Sequence, residues 1–386
     1  MDVIFWFGVL VLLFTLAITI EIVRGVQRMT PIGGVAPLAR KNAPRVSIII
    51  PARNEAATIE PALRSLLALD YPHLEIIVVN DRSTDSTGAV LARMQQDAPQ
   101  LKVYHLSELP KGWLGKNHAL QYGAERAHGQ FLLFTDADVI MEKTTLSRAL
   151  HHMIDNRLDH LSLFFENITP GGLLNGMILD VGGGLLLLFK PWKARDPKSR
   201  AFMGVGAFNL IRADVYRQVG MHRPVAMHPI DDIMLGKIIK RRGFRQDCAR
   251  GAGFVSVHWY PTVGEMIDGV MKNTFALYNY SVVRAMLGLL MIFLLGILPV
   301  WGVLLTTGTP RVLFGLTVAV RLLSFASGFR TLGKNPLFAF WSLVTPYLNF
   351  YITVKATVIT LRNQGIFWRG THYPLDELKG GSQKLF

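Results

Sequence analysis

Apolar and polar positions along the chain fall into two regimes. From Val3 to Ile20 almost every residue is apolar, a run long enough to cross a bilayer once Glu21 and the basic residues behind it are taken as the interface. Three more such stretches come late, at Met286 to Leu305, Val312 to Phe329 and Pro336 to Leu361. Between them the apolar runs shorten and turn β-rich. Val46 to Ile50 ends at Pro51, Glu75 to Val79 ends at Asn80-Asp81, and Phe131 to Phe134 ends at Thr135-Asp136, with a helical stretch at Ala56 to Leu69. Nearly continuous apolar runs of this length are how parallel strands buried on both faces read. The pattern predicts an α/β domain at 45–280, a transmembrane anchor at 1–23, membrane segments at 285–361 and a tail at 362–386. Polar residues recur just past the carboxyl ends of the strands, where open α/β sheets bind ligands.

The membrane segments differ in quality. No small-residue cleavage site follows the first, which reads as a retained anchor rather than a removed signal peptide. The arginines behind it place the following domain in the cytosol, on a plasma or inner membrane, by the positive-inside rule. Met286 to Leu305 is the cleanest late span. Val312 to Phe329 carries Arg321 near its middle, at a cost of about 2.5–3.5 kcal/mol unless the arginine is paired or snorkels, so an interfacial position is the alternative. Pro346 and Lys355 interrupt the last stretch, which fits either a kinked span or a re-entrant pair. One further apolar stretch, Gly176 to Phe189, is too short to span, is broken by Gly182-Gly183-Gly184 and meets Lys190-Pro191-Trp192-Lys193. It reads either as a segment dipping into the membrane face, where it could receive a lipid tail, or as an ordinary core helix.

A formal charge of +14 raises nucleic acid as a partner, but the basic residues gather beside apolar runs, as at Arg24, Arg28, Arg40, Lys41 and Arg45. That placement favours anionic lipid headgroups, each contact contributing about 1 kcal/mol. No basic-aromatic module of the nucleic-acid-binding kinds is present. Cys248 is the only cysteine, which excludes an intramolecular disulfide and a cysteine zinc cluster, so the chemistry rests on oxygen and nitrogen ligands.

Asp136-Ala137-Asp138 directly follows an apolar strand and aims two carboxylates at one site, a set suited to magnesium or manganese. Alone, such a triplet usually marks a solvated turn. Here it stands in an ordered set: Ile50-Pro51-Ala52-Arg53-Asn54-Glu55, then Val79-Asn80-Asp81, then Gly115-Lys116 before a helix, then the triplet, then Asp231-Asp232. A nucleotide-triphosphatase loop is excluded at Gly112 to Asn117, because neither the four-residue gap nor the hydroxyl residue after the lysine is there.

In this order the set resembles the family 2 glycosyltransferases of GT-A fold, over about three-fifths of the chain. The terminal apolar segments resemble the membrane-embedded members, such as ceramide glucosyltransferases and the hopanoid- and carotenoid-associated enzymes. The resemblance implies a Rossmann-like nucleotide-sugar-binding domain and a UDP-sugar donor. Asp81 would accept from uracil, Ala52, Arg53 and Glu55 would line the nucleoside pocket, Lys116 would face the diphosphate, and Asp136 would sit near the nucleotide. Asp138 would hold the divalent cation, with His258 completing the shell and His222 and His228 as rivals. Asp232 would be the base that deprotonates the acceptor in an inverting displacement, a role that raises rates by about 10²–10⁴. Asp231 stands where the family usually has glutamate, and Gly204 and Gly206 would let backbone approach the sugar or acceptor.

One departure bears on the product. Processive relatives carry Gln-x-x-Arg-Trp after the base, and Gly269-Val270-Met271-Lys272-Asn273 lacks the stacking tryptophan. The expected reaction is therefore transfer of one hexose to a membrane lipid. The alternatives are a processive polysaccharide synthase and a non-catalytic lipid-binding protein on a transferase scaffold; the second should lack Asp138 or Asp232, and both are present.

Overall fold

The short apolar runs pair because their backbone groups, once buried, have no other partners. A computed structural model describes residues 3–380. After the N-terminal helix α1 (Val3–Arg28), the chain alternates β1 (Val46–Ala52), α2 (Ile59–Leu67), β2 (Leu74–Asp81), α3 (Thr87–Asp97), β3 (Leu101–Leu106), α4 (Gly115–Glu125) and β4 (Phe131–Phe134). There follow β5 (Val139–Met141), α5 (Thr145–Asp155), β6 (His160–Phe164), β7 (Glu166–Asn167), α6 (Gly172–Phe189), β8 (Asn209–Arg212), α7 (Ala213–Gln218), α8 (Asp231–Arg241), β9 (Gln246–Arg250) and β10 (Val255–Val257). Seven strands form one sheet in the order β3-β2-β1-β4-β8-β6-β9, with only β8 antiparallel to its neighbours. A second sheet, β5-β10-β7, holds the segment after Asp138. Val46, Ile48, Ile49, Ile76, Ile77 and Val78 are fully buried, which accounts for the unbroken apolar runs of β1 and β2. Helix α2 is shorter than the expected Ala56–Leu69, because the Ala56 N–H donates to Asp85 and that of Glu55 to Thr87 instead of entering a helix.

Beyond the sheet the chain continues as α9 (Val263–Leu277), α10 (Val282–Ile292), α11 (Leu298–Leu305), α12 (Gly308–Thr331), α13 (Thr345–Arg362), the hairpin β11 (Gly365–Trp368) and β12 (Thr371–Pro374), and α14 (Leu375–Gly380). Helix α9 starts where the Thr262 hydroxyl accepts the Glu265 N–H at 3.2 Å. By length and composition, four helical stretches among the described residues can cross a membrane: Val3–Arg28, Gly172–Lys193, Val282–Leu305 and Gly308–Thr331. The second corrects the sequence expectation, since the helix begins ahead of Gly176 and its terminal turn runs to Lys193. Pro336–Leu343 and α13 meet at a bend of 52°, as Pro346 foreshadowed. Lys190 and Lys193 reach Glu21 of α1 at 3.4 and 3.2 Å, so part of the basic cluster answers an acid of the protein itself.

Arg321 finds its partner inside the helical layer. Its Nη2 donates to Asp180 Oδ1 of α6 at 2.9 Å and its Nε to the Ser342 carbonyl at 3.0 Å. Asp180 Oδ2 accepts from Thr345 and Asn349 at 2.9 and 3.0 Å. Both side chains of the ion pair are about one-sixth exposed, at 17% and 16%. This network joins α6, α12 and α13, and it removes the reason to place the Arg321 helix at the interface.

Breaking such a pair from one side leaves a charge without a partner, which costs about 3–5 kcal/mol where it is buried. Asp180→Leu should therefore lower the apparent Tm in detergent sharply, and the double change Asp180→Leu, Arg321→Met should recover most of the loss. Equal Tm values for the single and double variants would show that the pair does not hold the layer together.

Candidate active site

Strand order reverses between β1 and β4, so the strands diverge there and leave a crevice at their carboxyl ends. A cavity of about 620 Å³ occupies it. Ala52 ends β1, and Arg53 and Glu55 follow in the cavity wall. Asp81 ends β2, and its two oxygens accept from Nε and Nη2 of Arg82 at 2.7 and 2.9 Å. A side chain on Gly115 would stand 2.4 Å from Asp81 Oδ2; the bare glycine lets α4 begin there and carries Lys116 into the crevice.

Lys116 Nζ lies 2.6 Å from Asp136 Oδ1 and 4.0 Å from Asp231 Oδ1. Burial opposes its charge, but the carboxylates of Asp136, Asp231 and Asp232 hold its pKa well above the ordinary lysine value. Asp232, at the first turn of α8, is pushed up to about 7 by burial and by the adjacent charge of Asp231, against the pull of Lys116. Asp231 is itself buried, but Lys116 and His222 keep it below the usual carboxylate range. The two neighbours thus differ: Lys116 and His222 hold Asp231 low, whereas burial and the charge of Asp231 hold Asp232 high.

The glycines expected near the acceptor have distinct roles. A Cβ on Gly204 would stand 1.8 Å from the Asp232 carbonyl, so Gly204 lets its loop lie against α8. A Cβ on Gly206 would stand 2.9 Å from Asp136 Oδ2 and 3.4 Å from both Asp232 Oδ2 and Lys116 Nζ. Gly206 therefore keeps the centre of the charged cluster open.

Asp138 is pushed up to about 7 by burial, then by the charges of Asp136 and Glu55. A divalent cation fits this pair of crowded carboxylates, with the rest of its shell left to diphosphate and water, the usual manner of magnesium. His258 does not join them. It is exposed and outside the cavity wall, which Trp259 and Tyr260 line instead. His222 is buried with its Nδ1 2.5 Å from the Tyr216 hydroxyl, and burial pushes His228 down to about 4. Among the described residues no group of three or more His, Cys, Asp or Glu forms a metal cage.

The wall that the sequence did not announce comes from the tail. Hairpin β11–β12 turns through Arg369 and Gly370, at φ 48° and 79°, the backbone of a two-residue turn with both central residues left-handed. Arg369 at its tip donates to the Arg53 carbonyl and to Glu55 Oε1, the latter at 2.5 Å, and Gly115 N–H donates to the Tyr373 hydroxyl at 3.2 Å. Trp368 lies beneath Lys272 of α9, the ammonium 4.2 Å from the ring centroid. Burial, then the charges of Lys116 and Arg369, pushes Lys272 down to about 8. The crevice thus has a ring after all, supplied from another part of the chain, with a cation seated on it.

Residues 47–220 match the family model described as Glycosyl transferase family 2. They form a family 2 glycosyl transferase domain. The 4,4'-diaponeurosporenoate glycosyltransferase of Staphylococcus haemolyticus is 28% identical over 59% of this chain and 60% of its own length, so the chain matches about three-fifths of that relative. The beta-monoglucosyldiacylglycerol synthase of Synechocystis is 36% identical over 28% of this chain and 22% of its own. A Pyrobaculum calidifontis mannosyltransferase, solved with GDP-Man and Mn2+, superposes with a TM-score of 0.56 at 18% identity, covering 93% of this chain and 98% of that one. This likeness extends the GT-A fold of the transferase domain through the flanking helices.

Arg369→Gln removes the guanidinium that pins the hairpin tip to the transferase domain. At this half-exposed site an ion pair contributes about 1 kcal/mol, so amide exchange across residues 365–374 should quicken by about threefold to tenfold, while β1 and β2 keep their protection. Unchanged exchange would show that Tyr373 and the Trp368–Lys272 contact suffice.

Proposed function

We propose that the chain is an inverting glycosyltransferase that moves one hexose from a nucleoside diphosphate sugar, first among them a UDP-hexose, to the hydroxyl of a membrane lipid. The observation that carries this reading is the convergence of Asp231 and Asp232 on Lys116, which pairs with Asp136 and stands with Asp136 and Asp138 in the crevice wall. The relatives support the lipid, since their names refer to a carotenoid acid and to diacylglycerol. The long apolar helices support work at a membrane, with the transferase domain on the cytosolic face.

In this reading the nucleoside lies against the wall formed by Ala52, Arg53, Glu55 and Asp81, and the diphosphate lies toward Lys116, Lys272 and Arg369. Asp232 takes the proton of the acceptor hydroxyl as its oxygen bonds to the anomeric carbon. The bond from that carbon to the phosphate oxygen breaks, and its electron pair leaves on the nucleoside diphosphate. A divalent cation at Asp136 and Asp138 would neutralise part of that charge. The single transfer is supported by the missing tryptophan at Gly269 to Asn273, while Trp368, from another part of the chain, has the Lys272 ammonium seated on one face.

Asp232→Asn should keep affinity for UDP while lowering turnover by about 10²-fold or more, since a base acts in the transition state. Incubation of membranes with labelled UDP-hexoses and GDP-mannose, followed by mass spectrometry of the lipids, should give one lipid carrying one sugar. A ladder of saccharides, or transfer only from GDP-mannose, would overturn the acceptor or donor half of the reading in turn.

The pH dependence follows from two groups. Asp232 must be unprotonated and is raised to about 7, whereas Lys272 must be protonated and is lowered to about 8. The kcat/KM for donor should rise through about pH 7 and fall above about pH 8, since it reports the free enzyme. Lys272→Met should remove the alkaline fall and lower the plateau.

A further inference from the structure

One wall of the crevice does not belong to the transferase sheet. Asp268, Gly269, Met271 and Lys272 of α9 stand in it together with Ile359 and Thr360 of α13 and Asn363 just past its end. Helix α13 carries an i, i+4 ladder away from that wall, in which Asn363 and Ile359 lead to Lys355, then Tyr351, then Tyr347. The two tyrosines are 51% and 39% exposed. On α9 the matching ladder runs from Lys272 to Asp268 and Gly264, and a side chain at Gly264 would meet nothing within 4 Å. Lys355 Nζ lies 5.9 Å from the Tyr351 ring centroid, so the seam, the edge where the two packed helices meet, carries an exposed aromatic at its outer end and joins the crevice at its inner end.

A single ion pair crosses the seam between these ends. Lys355 Nζ donates to Asp268 Oδ1 at 3.0 Å, and the Asp268 side chain is 72% exposed. A lysine within a largely apolar helix calls for a partner, yet a pair whose acid is so exposed is weakly held and opens readily. Beneath this edge the helices pack together, with Met266 of α9 buried among Leu174 and Met177 of α6 and Ile352 of α13. No α6 residue lines the crevice among the described residues.

We propose that the seam between α9 and α13 is the entry for the acceptor lipid, with the Asp268–Lys355 pair holding its headgroup and the Tyr347–Tyr351 face holding its tail. The occupant is a lipid with a free hydroxyl and an apolar chain. Continuity with the crevice argues for it: a hydroxyl advanced past Lys355 comes next to Ile359 and Asn363, which are already in the wall. The Gly176 to Phe189 stretch packs on α13 through Asp180 and contributes no residue to the crevice wall, so it is not the acceptor wall in this reading. This inference rests on the proposed transfer to lipid and adds the route by which the lipid arrives.

The test uses the full chain in phosphatidylcholine nanodiscs containing dioleoylglycerol or a diacylglycerol with a diazirine in its acyl chain. Photolysis of the wild type should label α13 around Tyr347 to Ile359, and Lys355→Met or Tyr351→Ala should reduce the label and raise the KM for dioleoylglycerol about fivefold or more. UDP affinity should stay within about twofold in both variants, which separates an acceptor effect from a donor or folding effect. Labelling confined to the Gly182–Gly184 face of α6, or full labelling with unchanged KM in both variants, would overturn the seam. No sugar transfer to any lipid by the wild type, with the α13 label intact, would overturn the proposed reaction and leave a lipid site without that role.

Discussion

Carboxylates crowded at one end of the sheet set the terms for everything around them. Asp136, Asp138, Asp231 and Asp232 come from two separate segments and converge where β4 ends and α8 begins. Like charges about 4 Å apart repel by about 4 kcal/mol at the effective dielectric of a protein surface. Lys116 answers part of that repulsion, while burial first and the neighbouring carboxylates second push Asp138 and Asp232 up to about 7. The bare positions at Gly115 and Gly206 follow from the same crowding, since any side chain there would meet a charged oxygen within 3 Å.

The helical layer poses the opposite problem, a few charges in apolar surroundings, and solves it by pairing across long stretches of chain. Asp180 and Arg321 are 141 residues apart, and Lys355 and Asp268 are 87 apart. One pair ties helices together where little else directional is available. The other lies where two helices leave the layer and become walls of the crevice.

Much of this was legible in the sequence because it depends on local pattern. The strands read as apolar runs because both faces of the sheet are covered, and the acidic motifs fall at their ends because that is where the strands diverge. What could not be read depends on distant partners. No feature near Arg321 points to Asp180, so the cost of the lone arginine stood and an interfacial helix remained open. The resemblance puts His258 in the metal shell, but its side chain is exposed while Trp259 and Tyr260 beside it line the crevice. The hairpin did leave a signal. Ile366 to Trp368 and Thr371 to Tyr373 flank an Arg-Gly pair, a short turn between strand-forming residues, overshadowed by the long apolar helix before it.

The position of that hairpin bears on how the protein can be dissected. A fragment cut at residue 280 would keep every acidic motif and the whole seven-stranded sheet. It would lack Trp368, Arg369 and Tyr373, leaving Lys272 bare, Glu55 without its guanidinium and Gly115 without its hydroxyl partner. The first and last parts of the crevice are joined only through the helices that such a cut removes. A minimal unit with a complete donor site must therefore keep its membrane helices or have the hairpin grafted back by a new connection.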